Sequence, residues 1–97
     1  MKKYKLAIVG ATGLVGRTAL KILEEKNIPN LEYTLFSSKK SAGTELKFMN
    51  TRYLVHELKD FSFDEHFDFA IFSAGAETSK HFAPIAASKG CIVIVNS

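Results

Sequence analysis

The sequence predicts an α/β fold: a doubly wound, mostly parallel sheet with helices on both faces, three layers in all. Three observations carry that expectation. Short runs that are apolar on both faces alternate with segments of helical periodicity. The glycine turn Gly10-Ala11-Thr12-Gly13-Leu14-Val15-Gly16 joins the first such run to the first helix. A second small-residue turn, Ser73-Ala74-Gly75-Ala76, holds the same place in a later strand–helix unit. Strand, glycine turn and helix in that order give the Rossmann-type arrangement, with right-handed crossovers and a sheet order of 3-2-1-4-5 or a near variant.

Tyr4 to Val9 reads as the first strand, apolar on both faces and therefore central. Gly10 permits the tight turn off it, and Gly13 lets the backbone approach phosphates with no side chain in the way. Gly16 lets the helix pack close to the sheet. The spacing is G-x-x-G-x-x-G, with Thr12 where the usual G-x-G-x-x-G fingerprint has glycine. A glycine turn can also serve packing alone. Here a buried strand precedes it and a helix follows, so the free N–H groups and positive dipole end of that helix face an anion, the pyrophosphate of a dinucleotide. The helix runs from about Leu14 to Lys26 and ends at Asn27 and Pro29, with Glu24 and Glu25 on its solvated face.

Leu31 to Ser37 is the second strand, and the loop after it is Ser37-Ser38-Lys39-Lys40-Ser41-Ala42-Gly43. In NAD-binding folds an acid near the end of this strand accepts hydrogen bonds from the ribose hydroxyls. No acid stands there, and Glu32 comes too early. Hydroxyls and lysines are the chemistry of a 2′-phosphate site, donors plus positive charge. A solvated polar loop is the plainer alternative; its place after the second strand favours NADP over NAD.

Glu45 to Leu58 alternates around Asn50-Thr51 and reads as a hairpin, or two short strands, beside the main sheet. Ser62 to Glu65 reads as a short capped turn. His56 reads as a surface or cross-strand residue, because no partner His or Cys lies at metal spacing; His66 reads as structural and His81 as helix surface. Asp68 to Phe72 is the next buried strand. The turn at its carboxyl end, Ser73-Ala74-Gly75, is expected beside the first glycine turn, where ligands of doubly wound sheets lie. Thr78 to Lys89 reads as a helix stopped by Gly90, with Pro84 either in the first turn of a restarted helix or kinking it. Cys91 to Val95 is the last strand.

Composition bounds the alternatives. Ninety-seven residues make one domain, near the small end of what buries its own core. A net charge of +3 admits an anionic ligand, yet no dense basic stripe with interleaved aromatics argues for nucleic acid. The single Cys91 excludes an internal disulfide and fits a reducing, cytoplasmic setting. No run approaches membrane-spanning length, and the apolar stretch after Met1-Lys2-Lys3 is too short for a signal peptide.

Five motifs in order resemble the amino-terminal part of the bacterial aspartate-semialdehyde dehydrogenase family: the turn Gly10 to Gly16, Ser38-Lys39-Lys40-Ser41-Ala42-Gly43, Phe72-Ser73-Ala74-Gly75, Phe82-Ala83-Pro84-Ile85-Ala86 and Val95-Asn96-Ser97. The resemblance covers the whole chain. It implies an NADP-dependent oxidoreductase of lysine, threonine and methionine biosynthesis, cytoplasmic and homodimeric at full length. Such an enzyme reductively dephosphorylates aspartyl phosphate to aspartate semialdehyde through a cysteine thioester. Thr12, Gly13, Leu14 and Val15 then match the pyrophosphate turn, beside Gly10, which the strand–turn–helix reading already places at the cofactor. Ser38, Lys40 and Ser41 match the adenosine-phosphate loop, with Lys40 where the family often has Arg. Ser73, Ala74 and Gly75 match the turn beneath the nicotinamide side, and Ala76 departs from a frequent second glycine. The family's nucleophile lies in an Asn-Cys motif that Cys91 does not occupy, and its base histidine and substrate arginine lie in a second domain. The resemblance thus makes residues 1–97 a truncated NADP-binding domain without catalytic residues, inactive alone. Two rivals share the turn: N-acetyl-glutamyl-phosphate reductase, and a non-catalytic NADP-binding module.

Overall fold

The structure is a computed structural model, and it describes residues 2–95. Its elements are β1 (Tyr4–Val9), α1 (Leu14–Lys26), β2 (Leu31–Ser37), β3 (Glu45–Phe48), β4 (Thr51–Glu57), a 3₁₀ turn (Ser62–Asp64), β5 (Phe69–Phe72), α2 (Ala76–Ser88) and β6 (Ile92–Val95). One six-stranded sheet runs β3-β4-β2-β1-β5-β6. All pairings are parallel except β3 with β4. With β4, β5 and β6 taken as the third, fourth and fifth strands of the expected order 3-2-1-4-5, the two agree, and β3 adds one antiparallel strand at the edge. The hairpin does not stand beside the sheet as expected. It joins it, through Leu35↔Val55 and its neighbours.

Alternation along β1 builds the two cores. Leu6 and Ile8 face α1, packing with Leu20, Leu23, Leu35 and Val55. Ala7 and Val9 face the other way, with Phe36, Phe63, Phe67, Phe72 and Ala86. Both faces of β1 are therefore dry, which is why its sequence carries no polar alternation. The small residues Ala7 and Ala70 make room for the rings above them.

Helix ends follow local chemistry. Asn27 takes the left-handed conformation (φ 46°) and returns its N–H to the Leu23 carbonyl, closing α1. Gly90 (φ +86°) ends α2; its N–H reaches the Ala87 carbonyl and that of Cys91 reaches Ala86. The buried pair Ala86 and Cys91 supplies the apolar contact that accompanies this stop. Helix α2 begins two residues earlier than expected, capped by Gly75, and is continuous through Pro84 with no restart. The 3₁₀ turn has no side-chain cap; the Ser62 hydroxyl accepts from the Lys59 N–H instead. The hairpin turns at Met49-Asn50 (φ 54° and 60°), one residue before the expected place. Glu24 is not merely solvated, since its carboxylate accepts the Met49 N–H at 2.8 Å and ties the hairpin to α1.

Candidate dinucleotide-binding site

Two strand-to-helix turns meet at the carboxyl end of the sheet. The Gly10 and Ala11 N–H groups both donate to the Phe36 carbonyl, at 2.9 and 3.1 Å, pinning the first turn to the end of β2. The Ser73 N–H donates to the Val9 carbonyl at 2.8 Å, pinning the second turn to the end of β1. A Cβ on Gly10 would stand 2.8 Å from the Ala74 nitrogen, so the turns touch backbone to backbone. Gly10 also holds φ +84°, and glycine is required there on both counts. Gly16 is more confined still: a Cβ would lie 1.9 Å from the Gly10 carbonyl oxygen.

Gly13 and Gly75 are different. Gly13 would meet only the Gly10 oxygen at 3.5 Å, and Gly75 nothing within 4 Å. Neither has a positive φ, and neither is required to be glycine by the fold. Both are helix N-caps without a side-chain cap, so two uncapped helix N-termini open on the same space. That space is a cleft of about 370 Å³, lined by Val9, Gly10, Thr12, Gly13, Ser37, Ser38, Leu58, Ser73, Ala74, Gly75, Thr78 and Phe82. The Ser73 hydroxyl is buried in its wall and has no hydrogen-bond partner among the described residues. A buried hydroxyl left unpaired costs about 1–3 kcal/mol, a cost that a ligand with a donor or acceptor at this point would remove.

Of the residues singled out in the sequence, Gly10, Thr12, Gly13, Ser38, Ser73, Ala74 and Gly75 are gathered into the cleft. Leu14, Val15, Lys40 and Ser41 are not part of its wall. Leu14 is 85% exposed at the start of α1, and Val15 is also exposed. Ser41 and Ala42 fold back to donate to the Ser38 carbonyl, which leaves Lys39 and Lys40 on the solvent side of that turn. Asn96 and Ser97, the close of the last motif, lie outside the described residues.

Leu58, Thr78 and Phe82 were missed, although they line the cleft with the glycines, two of them apolar and Thr78 carrying a hydroxyl. Phe82 is a partly buried residue of α2 packed against the core, and helical spacing alone does not say what lies across from it. His81 helps to hold that lining: its Nε2 lies 2.8 Å from Asp60 Oδ1 and its ring meets Phe82 edge-on. Arg17 was also missed. It donates to the Thr12 carbonyl at 3.0 Å and so keeps a cation beside the glycine turn.

The opposite end of the sheet has its own polar group. Asp68 accepts the Lys5 N–H at 2.8 Å and lies 3.0 Å from His66 Nε2. The Lys5 N–H, then His66, hold its carboxyl below the usual carboxylate value. Cys91 stands just before β6 at this end, the strand beginning one residue later than expected. Burial, and then the Asp68 charge, push its thiol pKa up. A thiol so placed is a packing residue, far from the thiolate chemistry of a nucleophile. No group of three metal-ligating side chains occurs among the described residues, and no helix is long and apolar enough to cross a membrane.

A doubly wound sheet with a glycine-turn cleft at the switch between β1 and β5 defines a dinucleotide-binding domain of the Rossmann class. The sequence matches the family described as semialdehyde dehydrogenase, NAD binding domain, over residues 5–97, and the chain belongs to that family. It is 49% identical over 94 residues to an aspartate-semialdehyde dehydrogenase of Aquifex aeolicus, which covers 97% of this chain and 28% of that protein. An aspartate-semialdehyde dehydrogenase of Rickettsia bellii is 45% identical over 96 residues, 99% of this chain and 28% of its own length. The crystal structure of aspartate-semialdehyde dehydrogenase II of Vibrio cholerae superposes with a TM-score of 0.89 at 39% identity, covering 98% of this chain and 31% of that one. The chain thus spans under a third of the length of these relatives.

Proposed function

We propose that the cleft holds NADP, and that the domain is the cofactor-binding part of an aspartate-semialdehyde dehydrogenase, the enzyme that reductively dephosphorylates aspartyl phosphate. The single observation that carries the reading is a pair of glycines, Gly13 and Gly75, that the fold leaves open toward one cleft between two uncapped helix N-termini. Bound there, the cofactor would supply the hydride. The protein's part is to bind and orient it. Gly10, Thr12 and Gly13 would bring backbone N–H groups to the pyrophosphate, with Arg17 beside them and Leu14 and Val15 flanking it. The Ser73 hydroxyl and the Ala74-Gly75 backbone would meet the nicotinamide side. Ser38, Lys40 and Ser41 would take the 2′-phosphate, and the absence of an acid at the end of β2 removes the partner that an NAD ribose needs.

On this reading the thioester chemistry, the aspartyl substrate and the homodimer contacts belong to the rest of a full-length, cytoplasmic enzyme. The isolated chain binds cofactor and does not turn over. The test is calorimetric titration of NADP and NAD into the wild type and Gly13→Val. NADP should bind the tighter, and the variant should keep its circular dichroism spectrum while losing NADP binding. Equal affinity for both cofactors would refute the 2′-phosphate assignment. Undiminished affinity in a folded Gly13→Val would refute the cleft.

A further inference from the structure

The apolar lining of the cleft comes from two segments that no strand pairing or helix joins. Leu58 follows directly on β4, and its N–H donates to the Ser37 carbonyl at 2.9 Å, which sets it beside Ser38. Phe82 stands on α2. The residues after Leu58 close on themselves. The Lys59 N–H donates to the Ser62 hydroxyl, the Ser62 N–H to the Lys59 carbonyl and the Asp64 N–H to the Phe61 carbonyl. Those bonds shape the loop without fixing where its tip, Lys59 to Phe61, stands relative to α2. Burial does not fix the tip either. Lys59 and Asp60 are exposed, Phe61 is 64% exposed, and the buried anchor, Phe63, comes only after it.

Among the described residues one polar contact joins that tip to α2: His81 Nε2 lies 2.8 Å from Asp60 Oδ1. A carboxylate only accepts, so Nε2 carries the proton. The same imidazole packs edge-on against Phe82, ring centroids 4.6 Å apart. His81 therefore touches one side of the cleft directly and reaches the other through Asp60, two residues beyond Leu58. A second pair, Lys89–Asp64 at 3.0 Å, ties the far end of α2 to the 3₁₀ turn, away from the residues that line the cleft. Both partners of the His81–Asp60 pair are more than half exposed, so its effect on an equilibrium is a matter of a few-fold.

We propose that His81 and Asp60 form a latch that sets the width of the cleft between Leu58 and Phe82, and so prepares it for the half of the cofactor next to Ser38. Both are positioning residues: neither lines the cleft, and each acts through the apolar side chain beside it. With the latch formed, the loop tip is already placed when the ligand arrives. Without it, binding must order the tip, and affinity falls by that cost. The proposal rests on the reading of the cleft as an NADP site.

The experiment titrates NADP and adenosine 2′,5′-bisphosphate calorimetrically into the wild type, His81→Ala, Asp60→Ala and the double variant, each checked for folding by circular dichroism. Each single variant should bind both ligands about threefold more weakly, the scale of an exposed pair. The double variant should also lose about threefold, not about ninefold, because the second substitution removes a contact already broken. Asp60→Asn keeps an acceptor for the imidazole N–H and should recover most of the affinity. His81→Phe keeps a ring against Phe82 without the N–H; it should behave like His81→Ala and stands in for it should the alanine variant not fold. Lys89→Ala breaks the other tether and should leave both affinities unchanged. Unchanged affinity in both alanine variants, or losses that multiply in the double variant, overturns the latch while NADP binding by the wild type leaves the cofactor reading standing. A loss as large in Lys89→Ala overturns it too, since any tether of the segment would then serve. No NADP binding by the folded wild type overturns the cofactor reading, and the latch with it.

Discussion

Replacing Gly16 with alanine tests the packing that makes the cleft. A Cβ at this position stands 1.9 Å from the Gly10 carbonyl oxygen, 2.7 Å from its carbon and 2.9 Å from Ala11 Cα, whereas ordinary contact begins at 3.4 Å. The helix or the turn must move by about 1.5 Å, judged from those two distances. The turn resists, because Gly10 and Ala11 are both bonded to Phe36 and Ala11 is fully buried. Overpacking of this kind costs about 1–3 kcal/mol, occasionally more, and the better helix propensity of alanine returns about 1 kcal/mol. With backbone as the obstacle the upper end applies, so the net loss is about 2 kcal/mol. At about 4–8 °C per kcal/mol for a domain of this size, Tm falls by roughly 8–16 °C. Thermal and urea unfolding followed by circular dichroism measure it. Gly13→Ala is the matched control: its nearest neighbour is 3.5 Å away and its φ is −78°, so stability should change by less than about 1 kcal/mol. A Gly16→Ala protein as stable as the wild type would refute the claim that helix α1 and the turn are locked backbone to backbone.

Three further outcomes are expected. Lys40→Ala weakens NADP by at most about tenfold, roughly 1.4 kcal/mol, because the lysine is exposed and salt-screened; NAD affinity, measured in the same calorimeter, stays unchanged, and an equal loss for both cofactors would count against a 2′-phosphate contact. Asp68→Asn destabilises the fold at neutral pH: the folded carboxyl has the lower pKa, so its contribution is present above the unfolded value and disappears as pH falls through the folded one. Urea midpoints of wild type and variant should therefore converge in acid, and a gap that persists there would refute the assignment. Cys91, 7% exposed with its thiol pKa raised, should react with a thiol reagent at neutral pH only at the rate of unfolding, and Cys91→Ser should leave NADP affinity unchanged; rapid modification of the folded chain would show the thiol to be more open than its burial implies.

The elements legible in the sequence were those fixed by local signals. β1, α1 and β2 begin and end at the expected residues, since a run apolar on both faces, a glycine turn and the Asn27 stop each act within a few residues. What escaped depends on contacts distant in sequence. The hairpin turn falls on Met49-Asn50 although methionine is no turn residue, and the Glu24 carboxylate that receives its N–H comes from 25 residues away. β4 enters the sheet because its Val55 fits beside Leu35, which alternation alone could not say. The site divides in the same way. The glycines announced themselves by spacing, whereas Leu58, Thr78 and Phe82 come together from two separate segments and look like ordinary core positions. The packing distances also separate glycines that look equivalent in sequence: Gly10 and Gly16 serve the fold, and Gly13 and Gly75 leave room.

The central claim is that one cleft, between the two turns, receives the dinucleotide. Backbone amide shift mapping by NMR during an NADP titration tests it most directly. Saturable shifts are predicted at Gly10, Thr12, Gly13, Ser38, Ser73, Ala74, Gly75 and Phe82, with Glu45–Phe48 and the Lys5–Asp68 end of the sheet unmoved. Shifts centred on any other surface, or none at millimolar cofactor in a folded protein, would contradict it.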